Sequence, residues 1–447
     1  MQIDNTTATA ERNGVYISTY GCQMNVNDTE RMYALLEMLN YEPVSRPEDA
    51  ALIIINSCSV REKPVHKVRS EVGRYRVLKS QNPRLKIGVG GCVAQQEKGK
   101  LLVDLPILDF VFGTDAIDKL PEIVQEVKAK DRRTTSAQFT HGEPYQIETM
   151  VRNPGVSTFI NIMKGCDNFC TFCIVPFTRG RERSRSLREI ISDAQKMTAR
   201  GVKEITLLGQ NVNSYKSPED GFGFSELLRR LAAETDIERI RYTSPHPKDF
   251  DEQLADVMQT YRQKIMEYIH LPAQSGNSQI LERMNRGYTR EEYIAKARML
   301  QKRIPDVVLS TDLIVGFPGE TDEQFEDTMA LLDEVSYENI YAFKYSPRPN
   351  TKAAKFGDQV PEAVKSERLS RLLAKHRVQA FEIVKKYQNT TLPVLVEEFH
   401  ENEGFCFGRS TQNKSVHFDG TKDLIGRTVP IRVTEATPQV LYGECVL

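Results

Sequence analysis

The chain has 447 residues, a length that predicts two or three domains rather than one core. Its 60 Lys and Arg balance 61 Asp and Glu, which excludes a uniformly basic nucleic-acid coat but allows a local basic surface. The first residues are polar and no run of about 18 apolar residues occurs, so the composition argues against a secretory signal and a membrane span.

The eight cysteines fit a cytoplasmic protein. In a reducing compartment, cysteines are more often thiolates or metal ligands than disulfide partners. We therefore expect a soluble cytoplasmic protein without a membrane partner, and we examine its cysteines as ligands.

The first segment alternates short apolar runs with helical patterns. The runs VYISTY, ALIIIN and LKIGVG are separated by TERMYALLEMLNY and VHKVRSEVGRY, which is the order βαβαβ. Met32, Leu35, Leu36 and Leu39 have the spacing of the buried side of a helix. This predicts an α/β domain with a doubly wound parallel sheet over residues 14–130.

A polar stretch from about 129 to 157 predicts a linker, because glycines and prolines interrupt any periodicity. Six further apolar runs follow, most of them before a helical pattern: TFINIM, KEITLLG, RIRYTS, MEYIHL, DVVLSTDLIVG and ENIYAFKYS. They predict an incomplete (βα)6 TIM-type barrel over residues 152–382, with a long helix from about 361 to 386. Short strands between turns then predict a small antiparallel β-barrel over residues 384–447.

Three cysteines follow the first strand of the second domain closely, at Cys166, Cys170 and Cys173. An iron–sulfur cubane ordinarily takes four cysteines, so a group of three leaves one iron open for chemistry. The alternative is a structural zinc site with a remote fourth ligand, but zinc sites favour paired C-x2-C spacing. We call these residues the compact triad and predict that they hold a 4Fe–4S cluster.

Three more cysteines are dispersed along the first domain, at Cys22, Cys58 and Cys92. Each directly follows an apolar run, and the carboxyl ends of parallel strands share one edge of a sheet. We call these residues the dispersed triad and expect their thiols to converge. The alternative is three buried, inert cysteines, which the nearby compact triad makes less attractive. Cys406 and Cys445 lie in the tail and are interpreted as core residues.

The pattern C-x3-C-x2-C, with the aromatic Phe172 before the third cysteine, resembles the radical S-adenosylmethionine superfamily. The whole chain resembles the methylthiotransferase family within it, and its order of domains is that of the family, ending in a TRAM-like RNA-binding barrel. The motifs that carry this resemblance are STYGCQMNVNDTE, INSCSVREKP, GVGGCVAQQ, KGCDNFCTFCIVPFTRGRERSR, LLGQNVNSY, HLPAQSGN and LIVGFPGET.

The resemblance implies two 4Fe–4S clusters and S-adenosylmethionine as cofactors. It implies that one S-adenosylmethionine supplies a methyl group, while a second yields a 5′-deoxyadenosyl radical that removes hydrogen from a substrate carbon. The implied substrate is C2 of N6-dimethylallyladenosine at position 37 of tRNA. Alternatives are a ribosomal protein aspartate, threonylcarbamoyl-adenosine in tRNA, or a non-catalytic RNA-binding protein with structural metal.

Loops after the strands of the second domain should bind S-adenosylmethionine. They include 209–211, 244–247, 272–276 and 312–320. Beyond the two clusters no catalytic group is identified, and each loop residue can instead be a turn or capping residue. The predicted cofactor-binding residues are Phe172, Gly209, Gln210, Asn211, Gln274, Ser275 and Asp312.

A row of arginines follows the compact triad, which is either a solvated charged loop or a phosphate-binding segment. The tail is not obviously basic, so RNA binding there needs a local surface. Predicted RNA-binding residues are Arg179, Arg181, Arg183, Arg185, Arg409 and Lys414. The expected partners are the anticodon stem-loop of a prenylated tRNA and an electron donor such as flavodoxin or ferredoxin, and we expect a monomer.

Overall fold

The computed structural model describes residues 13–59, 62–140, 145 and 147–446, which form two compact units. The first unit consists of the described residues before Glu143 together with Met150–Arg152 and Phe177–Gly180, and the second unit contains the others. None of the helices in this part of the chain has the length and apolar composition needed to cross a bilayer.

The first unit is a parallel α/β fold. Its strands are β1 (Asn13–Tyr20), β2 (Tyr41–Pro43), β3 (Leu52–Ser57), β4 (Lys86–Gly90), β5 (Phe110–Phe112) and β6 (Thr134–Ser136). Its helices are α1 (Gln23–Glu37), α2 (Glu62–Gln81), α3 (Gly91–Glu97), α4 (Lys100–Asp104) and α5 (Leu120–Lys130). All pairs in the sheet are parallel, in the order β2-β1-β3-β4-β5-β6.

The central strand β3 is buried on both faces of this sheet, because separate hydrophobic cores cover the two sides. Leu52 and Ile54 face the core that contains Met32 and Leu36 of α1, while Ile53 and Ile55 face the opposite core. A strand covered on both faces reads as a continuous apolar run, which explains ALIIIN. The predicted doubly wound sheet is confirmed.

The second unit begins with six parallel strands surrounded by helices. Its barrel strands are β7 (Ser157–Asn161), β10 (Glu204–Leu208), β11 (Arg239–Tyr242), β12 (Tyr268–His270), β13 (Val308–Val315) and β14 (Asn339–Lys344), and a short hairpin is formed by β8 (Met163–Lys164) and β9 (Arg183–Ser184). The helices are α6 (Val175–Thr178), whose last two residues belong to the first unit, α7 (Leu187–Ala199), α8 (Phe224–Glu234), α9 (Glu252–Thr260), α10 (Ser278–Arg283), α11 (Arg290–Arg303), α12 (Asp322–Glu334) and α13 (Glu362–Val384).

The six barrel strands are those that the apolar runs predicted. They form two parallel three-stranded sheets, β11-β10-β7 and β12-β13-β14. An isolated parallel bridge between Ile240 and Ile265 joins the region of β11 to the segment before β12. The predicted incomplete TIM-type barrel is therefore confirmed.

The chain ends in a closed five-stranded barrel. Its strands are β15 (Thr391–His400), β16 (Phe405–Ser410), β17 (Ser415–Asp419), β18 (Thr428–Ala436) and β19 (Val440–Cys445). Their order around the barrel is β15-β16-β17-β19-β18. The predicted barrel is confirmed, but β17 and β19 pair parallel, whereas we expected an antiparallel barrel throughout. Cys406 and Cys445 contribute to its hydrophobic core, as expected.

The prediction of a linker was wrong for the first part of that segment. Residues 134–136 form β6, which extends the first sheet beside β5. The run TTS is short and polar, and as an edge strand it needs no apolar periodicity. Residues 141–144 and 146 of the linker lie outside the described residues, as do residues 1–12 of the polar N-terminus, and the proposed domain boundaries stay predictions.

Candidate functional site

The dispersed triad converges at one edge of the first sheet. Cys22 caps the N-terminus of α1 after β1, Cys58 directly follows β3, and Cys92 lies in the first turn of α3 after β4. The strands β1, β3 and β4 are neighbours, so their following loops meet. The Cys58 thiol is hydrogen-bonded to the thiols of both Cys22 and Cys92.

Two glycines let the backbone pass close to these thiols. At Gly21 a Cβ atom would lie 2.5 Å from the Cys58 Cβ. At Gly91, where φ is +83°, it would lie 2.4 Å from Asn56 Oδ1. Both values are shorter than non-bonded contacts allow, and a positive φ disfavours any side chain. The sequence therefore needs glycine at both places to bring the strand ends together.

The third thiol and a buried cation together lower the pKa of two thiols in the dispersed triad. Arg179 lies 2.7 Å from Asp28, and both side chains are buried. The pKa of Cys22 falls to about 6, mainly through its hydrogen bond with Cys58 and also through the Arg179 charge. The pKa of Cys92 falls to about 6 for the same reasons, while that of Cys58 is raised. Thiolates are the sulfur ligands of metals, so this triad is prepared for metal binding.

A polar network fixes the loops of this triad. Asn25 Oδ1 accepts a hydrogen bond from the Cys22 thiol at 3.5 Å. Asn56 Nδ2 donates to the Asn25 carbonyl at 2.8 Å and to Thr29 Oγ1 at 3.0 Å. Sequence reasoning missed Asn56 and the Arg179–Asp28 pair, although each lies within or just beyond a cysteine motif.

The compact triad lies on a loop that the segment after α10 holds in place. The Thr171 amide donates to the Met284 carbonyl at 3.0 Å, and the Thr171 hydroxyl donates to the Arg283 carbonyl at 2.8 Å. Asn285 Nδ2 donates to the Asn168 carbonyl at 2.9 Å. The loop conformation therefore does not depend on the cysteines alone.

The thiols of the compact triad differ electrostatically from those of the dispersed triad. Burial raises the pKa of Cys166 to about 11 and that of Cys173 to about 12. Without metal these thiols hold their protons, and binding iron would deprotonate them. Arg286 Nη1 donates to Cys170 Sγ at 3.3 Å, a contact that sequence reasoning missed.

Neither triad is arranged as a site for a single metal ion. Among the described residues, no group of three or more His, Cys, Asp or Glu side chains has that arrangement. An iron–sulfur cluster differs from a single ion, because its cysteines bind separate irons. A set of three sulfur donors fits a cluster with one open iron in each case.

Buried polar atoms without a partner surround the compact triad's end of the barrel. Within the described residues, Asn161 Oδ1, Asn211 Oδ1 and His246 Nε2 are buried and accept or donate no hydrogen bond. They follow or end the consecutive strands β7, β10 and β11. Buried polar atoms normally have partners, so this edge fits a polar ligand such as S-adenosylmethionine.

Some of the predicted cofactor-binding residues make contacts within the protein. Gln210 Oε1 accepts from the Gly165 amide at 2.5 Å, and Ser275 Oγ accepts from the Asn277 amide at 3.2 Å. Gln274 has a φ of +71° and pairs through its backbone with β13. At Gly209 a Cβ atom would lie 2.5 Å from Met163 Cγ, so the residue is needed for a close approach.

The other predicted cofactor residues lie as follows. Phe172 is half-buried against the small hydrophobic cluster that includes Phe317. Asn211 Nδ2 donates to Asp249 at 2.8 Å, and an Asp312 oxygen lies 3.4 Å from His270 Nε2. The role of all seven residues in binding S-adenosylmethionine stays a prediction.

Glu182, an acidic residue near Cys166, is not among the site residues predicted from the sequence. Glu182 Oε2 accepts a hydrogen bond from Ser214 Oγ at 2.8 Å. Burial raises the pKa of Glu182 to about 7, and the charges of Asp167 and Asp249 act in the same direction. A perturbed carboxyl beside a candidate cofactor site is a candidate for contact with the cofactor.

The row of arginines does not form one surface. Arg179 pairs with Asp28 and Arg185 with Asp193 at 2.8 Å, all buried, so neither arginine can reach RNA phosphates. Arg181 is exposed and pairs with Asp167 at 2.7 Å. Arg183 lies above the ring of Tyr145. The RNA-binding prediction is therefore retained for Arg181 and Arg183 and is wrong for the two buried arginines.

The two tail residues predicted to bind RNA have carboxylate partners. Arg409 lies 2.7 Å from Glu397 and 3.2 Å from Glu204, which is fully buried. Lys414 lies 2.6 Å from Glu338, and both are buried. These contacts attach the small barrel to β10 and to the segment before β14. The structure therefore contradicts a direct phosphate contact by Lys414 and leaves little of Arg409 for one.

A three-cysteine loop at the carboxyl end of an incomplete parallel barrel defines a radical S-adenosylmethionine enzyme. Family models agree: the radical SAM superfamily matches residues 160–332, the uncharacterized protein family UPF0004 matches 14–113, and the TRAM domain matches 385–446. Radical SAM proteins carry a 4Fe–4S cluster and S-adenosylmethionine.

The chain resembles several tRNA-2-methylthio-N(6)-dimethylallyladenosine synthases. That of Bdellovibrio bacteriovorus is 62% identical over 97% of this chain and 95% of its own length. That of Geobacillus thermodenitrificans is 46% identical, over 96% of this chain and 83% of its own. The chain belongs to the family of these synthases and is a radical SAM methylthiotransferase.

Solved structures share the fold at low identity. The radical S-adenosylmethionine methyltransferase TsrM from Kitasatospora setae superposes with a TM-score of 0.56 at 15% identity, covering 77% of this chain and 74% of its own. The cobalamin-dependent radical enzyme OxsB gives a TM-score of 0.51 at 13% identity, covering 83% of this chain and 56% of its own. This likeness concerns the fold alone.

Proposed function

We propose that this chain transfers a methylthio group to C2 of N6-dimethylallyladenosine at position 37 of tRNA. The observation that carries the proposal is the presence of two separate cysteine triads, each at the carboxyl edge of its own parallel sheet. An enzyme that only generates a radical needs one iron without a protein ligand. A second triad fits a reaction in which sulfur must be supplied as well as a radical.

Each triad would hold one 4Fe–4S cluster, with Cys166, Cys170 and Cys173 at the radical site and the dispersed triad at the sulfur site. When bound, the radical cluster supplies the electron that cleaves S-adenosylmethionine, and the second cluster carries the sulfur. The chain itself provides two different environments. Cys58, Arg179 and the helix N-termini at Cys22 and Cys92 favour thiolates at the sulfur site, whereas desolvation raises the pKa of Cys166 and Cys173 at the radical site.

The chain would bind S-adenosylmethionine at the edge of the barrel next to the compact triad. Asn161 Oδ1 and Asn211 Oδ1 are buried acceptors that a polar head group can satisfy. Burial holds the pKa of His246 at about 2, so this ring stays neutral and its Nε2 is available for one hydrogen bond. Phe172 and Asp312 remain candidates for contact with the nucleoside.

The proposed partners follow from this reaction. The substrate is a prenylated tRNA presented through its anticodon stem-loop, and Arg181 and Arg183 are the candidate phosphate contacts. A low-potential donor such as flavodoxin or ferredoxin would reduce the radical cluster. We propose that the protein works as a monomer in the cytoplasm, where its eight cysteines stay reduced.

The proposal is tested with protein reconstituted anaerobically with iron and sulfide. Reductant, S-adenosylmethionine and prenylated tRNA are added, and nucleosides and 5′-deoxyadenosine are measured by mass spectrometry. Three variants are compared: C58A in the dispersed triad, C170A in the compact triad, and C445A, a half-buried cysteine outside both, as the matched control.

We expect methylthio-adenosine from the wild type and C445A only. C58A should still form 5′-deoxyadenosine, whereas C170A should not. Cleavage without modified tRNA in the wild type would move the substrate assignment to another nucleoside or to a protein. Methylthiolation by C58A at the wild-type rate would contradict the role of the dispersed triad.

A further inference from the structure

Arg286 is a buried cation in direct contact with a cysteine of the compact triad. Its side chain is only slightly accessible, with 5% of the residue surface exposed. Nη1 donates to Cys170 Sγ at 3.3 Å, Nε donates to the Tyr288 hydroxyl at 2.9 Å, and Nη2 donates to the Pro272 carbonyl at 3.1 Å. All three nitrogens of the guanidinium therefore have a partner.

None of these partners is a carboxylate. Among the described residues, no Asp or Glu forms an ion pair with Arg286, and the acidic groups that act on its charge are Tyr288 and Cys170. Three other buried arginines have such a partner: Arg179 has Asp28, Arg185 has Asp193 and Arg368 has Glu320. Arg239 donates only to two backbone carbonyls, but the charges of Glu204 and Glu397 act on it. A buried charge without a counter-charge is strongly unfavourable.

The missing negative charge belongs to the group that Cys170 would hold. A 4Fe–4S cluster with three thiolates is a net anion, and one-electron reduction makes it one unit more negative. We propose that Arg286 is the counter-ion of the radical cluster and raises its reduction potential by stabilising the reduced, more anionic form. This rests on the assignment of that cluster to the compact triad and does not depend on the tRNA substrate.

The two triads differ in this respect. Arg179 lies beside the dispersed triad, but its ion pair with Asp28 at 2.7 Å offsets part of its charge. Arg286 has no such partner, so its full charge acts on the compact triad. A cation close to a cluster in a low-dielectric site favours the electron more than a neutral ion pair does. The radical cluster thereby becomes easier to reduce than the same cluster without Arg286.

The test is a reductive titration followed by electron paramagnetic resonance, which reports the cluster and not the turnover. It uses the full chain carrying C22A, C58A and C92A, so that only the compact triad binds a cluster. R286Q removes the charge but retains amide donors, and R286K retains the charge. R290Q is the control, because Arg290 pairs with Glu334 away from the triad.

We expect R286Q to lower the ratio of reduced to oxidised cluster at a fixed potential about tenfold, which for a one-electron couple corresponds to about 59 mV. R286K and R290Q should stay within about threefold of the parent ratio. An unchanged ratio in R286Q would overturn the proposal.

The iron and sulfide content of each variant shows whether it still binds a cluster. Loss of the cluster in R286Q but not in R286K supports the proposal, because charge is then what the cluster requires. Loss in both variants, with R290Q normal, overturns it in favour of a purely structural role for the side chain.

Discussion

At Gly91 the backbone passes too close to its neighbours in the dispersed triad for a side chain to fit. Its φ of +83° lies where a side chain is strained, and a Cβ atom would lie 2.4 Å from Asn56 Oδ1 and 2.9 Å from the Ser57 carbonyl oxygen. The carbonyl belongs to β3 and cannot move without disturbing the strand that precedes Cys58. Gly91 thus links one backbone conformation to the positions of two triad cysteines.

We expect G91A to destabilise the first unit by about 2 kcal/mol or more and to lower the iron bound by the dispersed triad. Denaturant unfolding and iron analysis measure the two effects. G73A is the control, because Gly73 is exposed in α2 with nothing near its Cβ position, and alanine there should add about 0.5–1 kcal/mol of stability. A G91A protein with wild-type stability and iron content would contradict the steric argument.

His246 gives the second unit a defined dependence on pH. Burial lowers the pKa of its ring to about 2, and the nearby cations Arg286, Lys248 and Lys296 act in the same direction. The unfolded chain takes up a proton below about pH 6.5 that the folded site refuses. The stabilising contribution of His246 is therefore complete above that pH and is lost as the pH falls.

The free energy of unfolding should decrease by about 1.4 kcal/mol per pH unit through this histidine alone as the pH falls below about 6.5. H246Q should remove that part of the slope. Denaturant unfolding of the wild type and of H246Q, each at about pH 7 and about pH 5, gives the change in unfolding free energy with pH for both proteins. The difference between the two changes is the contribution of His246. Equal slopes would show that the ring is protonated in the folded protein, against its burial.

At the scale of elements, apolar runs predicted the strands that lie in the interiors of sheets. β3 and the barrel strand β10 are buried at every residue, and each contains an apolar run. The edge strand β6 and the parallel pairing of β17 with β19 left no such pattern. Register and edge pairing depend on contacts between distant segments, which a single sequence does not display.

A buried ion pair joins the helix α13 to the loop before α12. Arg368 lies 2.7 Å from both Glu320, which is fully buried, and Asp322, whose side chain is 87% exposed. Removing Arg368 leaves a buried carboxylate without its cation. Removing Asp322 leaves the buried pair intact.

We expect R368M to destabilise the second unit by about 3–5 kcal/mol, because the Glu320 carboxylate stays buried and loses its cation. The matched variant D322N should cost about 1 kcal/mol or less, as for other exposed pairs. Thermal unfolding measures both variants. Similar losses in the two would show that burial does not decide the strength of these pairs.

At the scale of the whole molecule, the sequence predicted both cysteine triads and missed the cations beside them. The cysteines are recognisable from their spacing and from their positions after strands. Arg286 lies 116 residues from Cys170 along the chain, and no local pattern connects them. The same holds for Arg409 and Lys414, whose buried partners Glu204 and Glu338 precede them by many residues. The fold and the convergence of the dispersed triad are therefore predictable here, whereas the electrostatic surroundings are not.

The small barrel is joined to the rest of the second unit through buried polar contacts. Glu338 accepts a hydrogen bond from the Tyr387 hydroxyl at 2.6 Å and lies 2.6 Å from Lys414. Arg241 Nη2 donates to the Ser410 carbonyl at 2.7 Å. Lys414 thus has a structural partner, and its removal should loosen the joint rather than remove a phosphate contact.

We expect E338Q and K414M both to increase the rate of proteolysis between α13 and β15. E338Q leaves the buried Lys414 without its carboxylate, and K414M leaves the buried Glu338 with only the half-exposed Lys386 as its cation. Their effects on tRNA binding should be alike. R181Q removes an exposed cation and should instead lower the slope of log affinity against log salt by about 0.7–0.9 without changing proteolysis. If K414M lowered the salt slope in the same way while E338Q did not, Lys414 would contact a phosphate, and the assignment of this residue to the joint would be wrong.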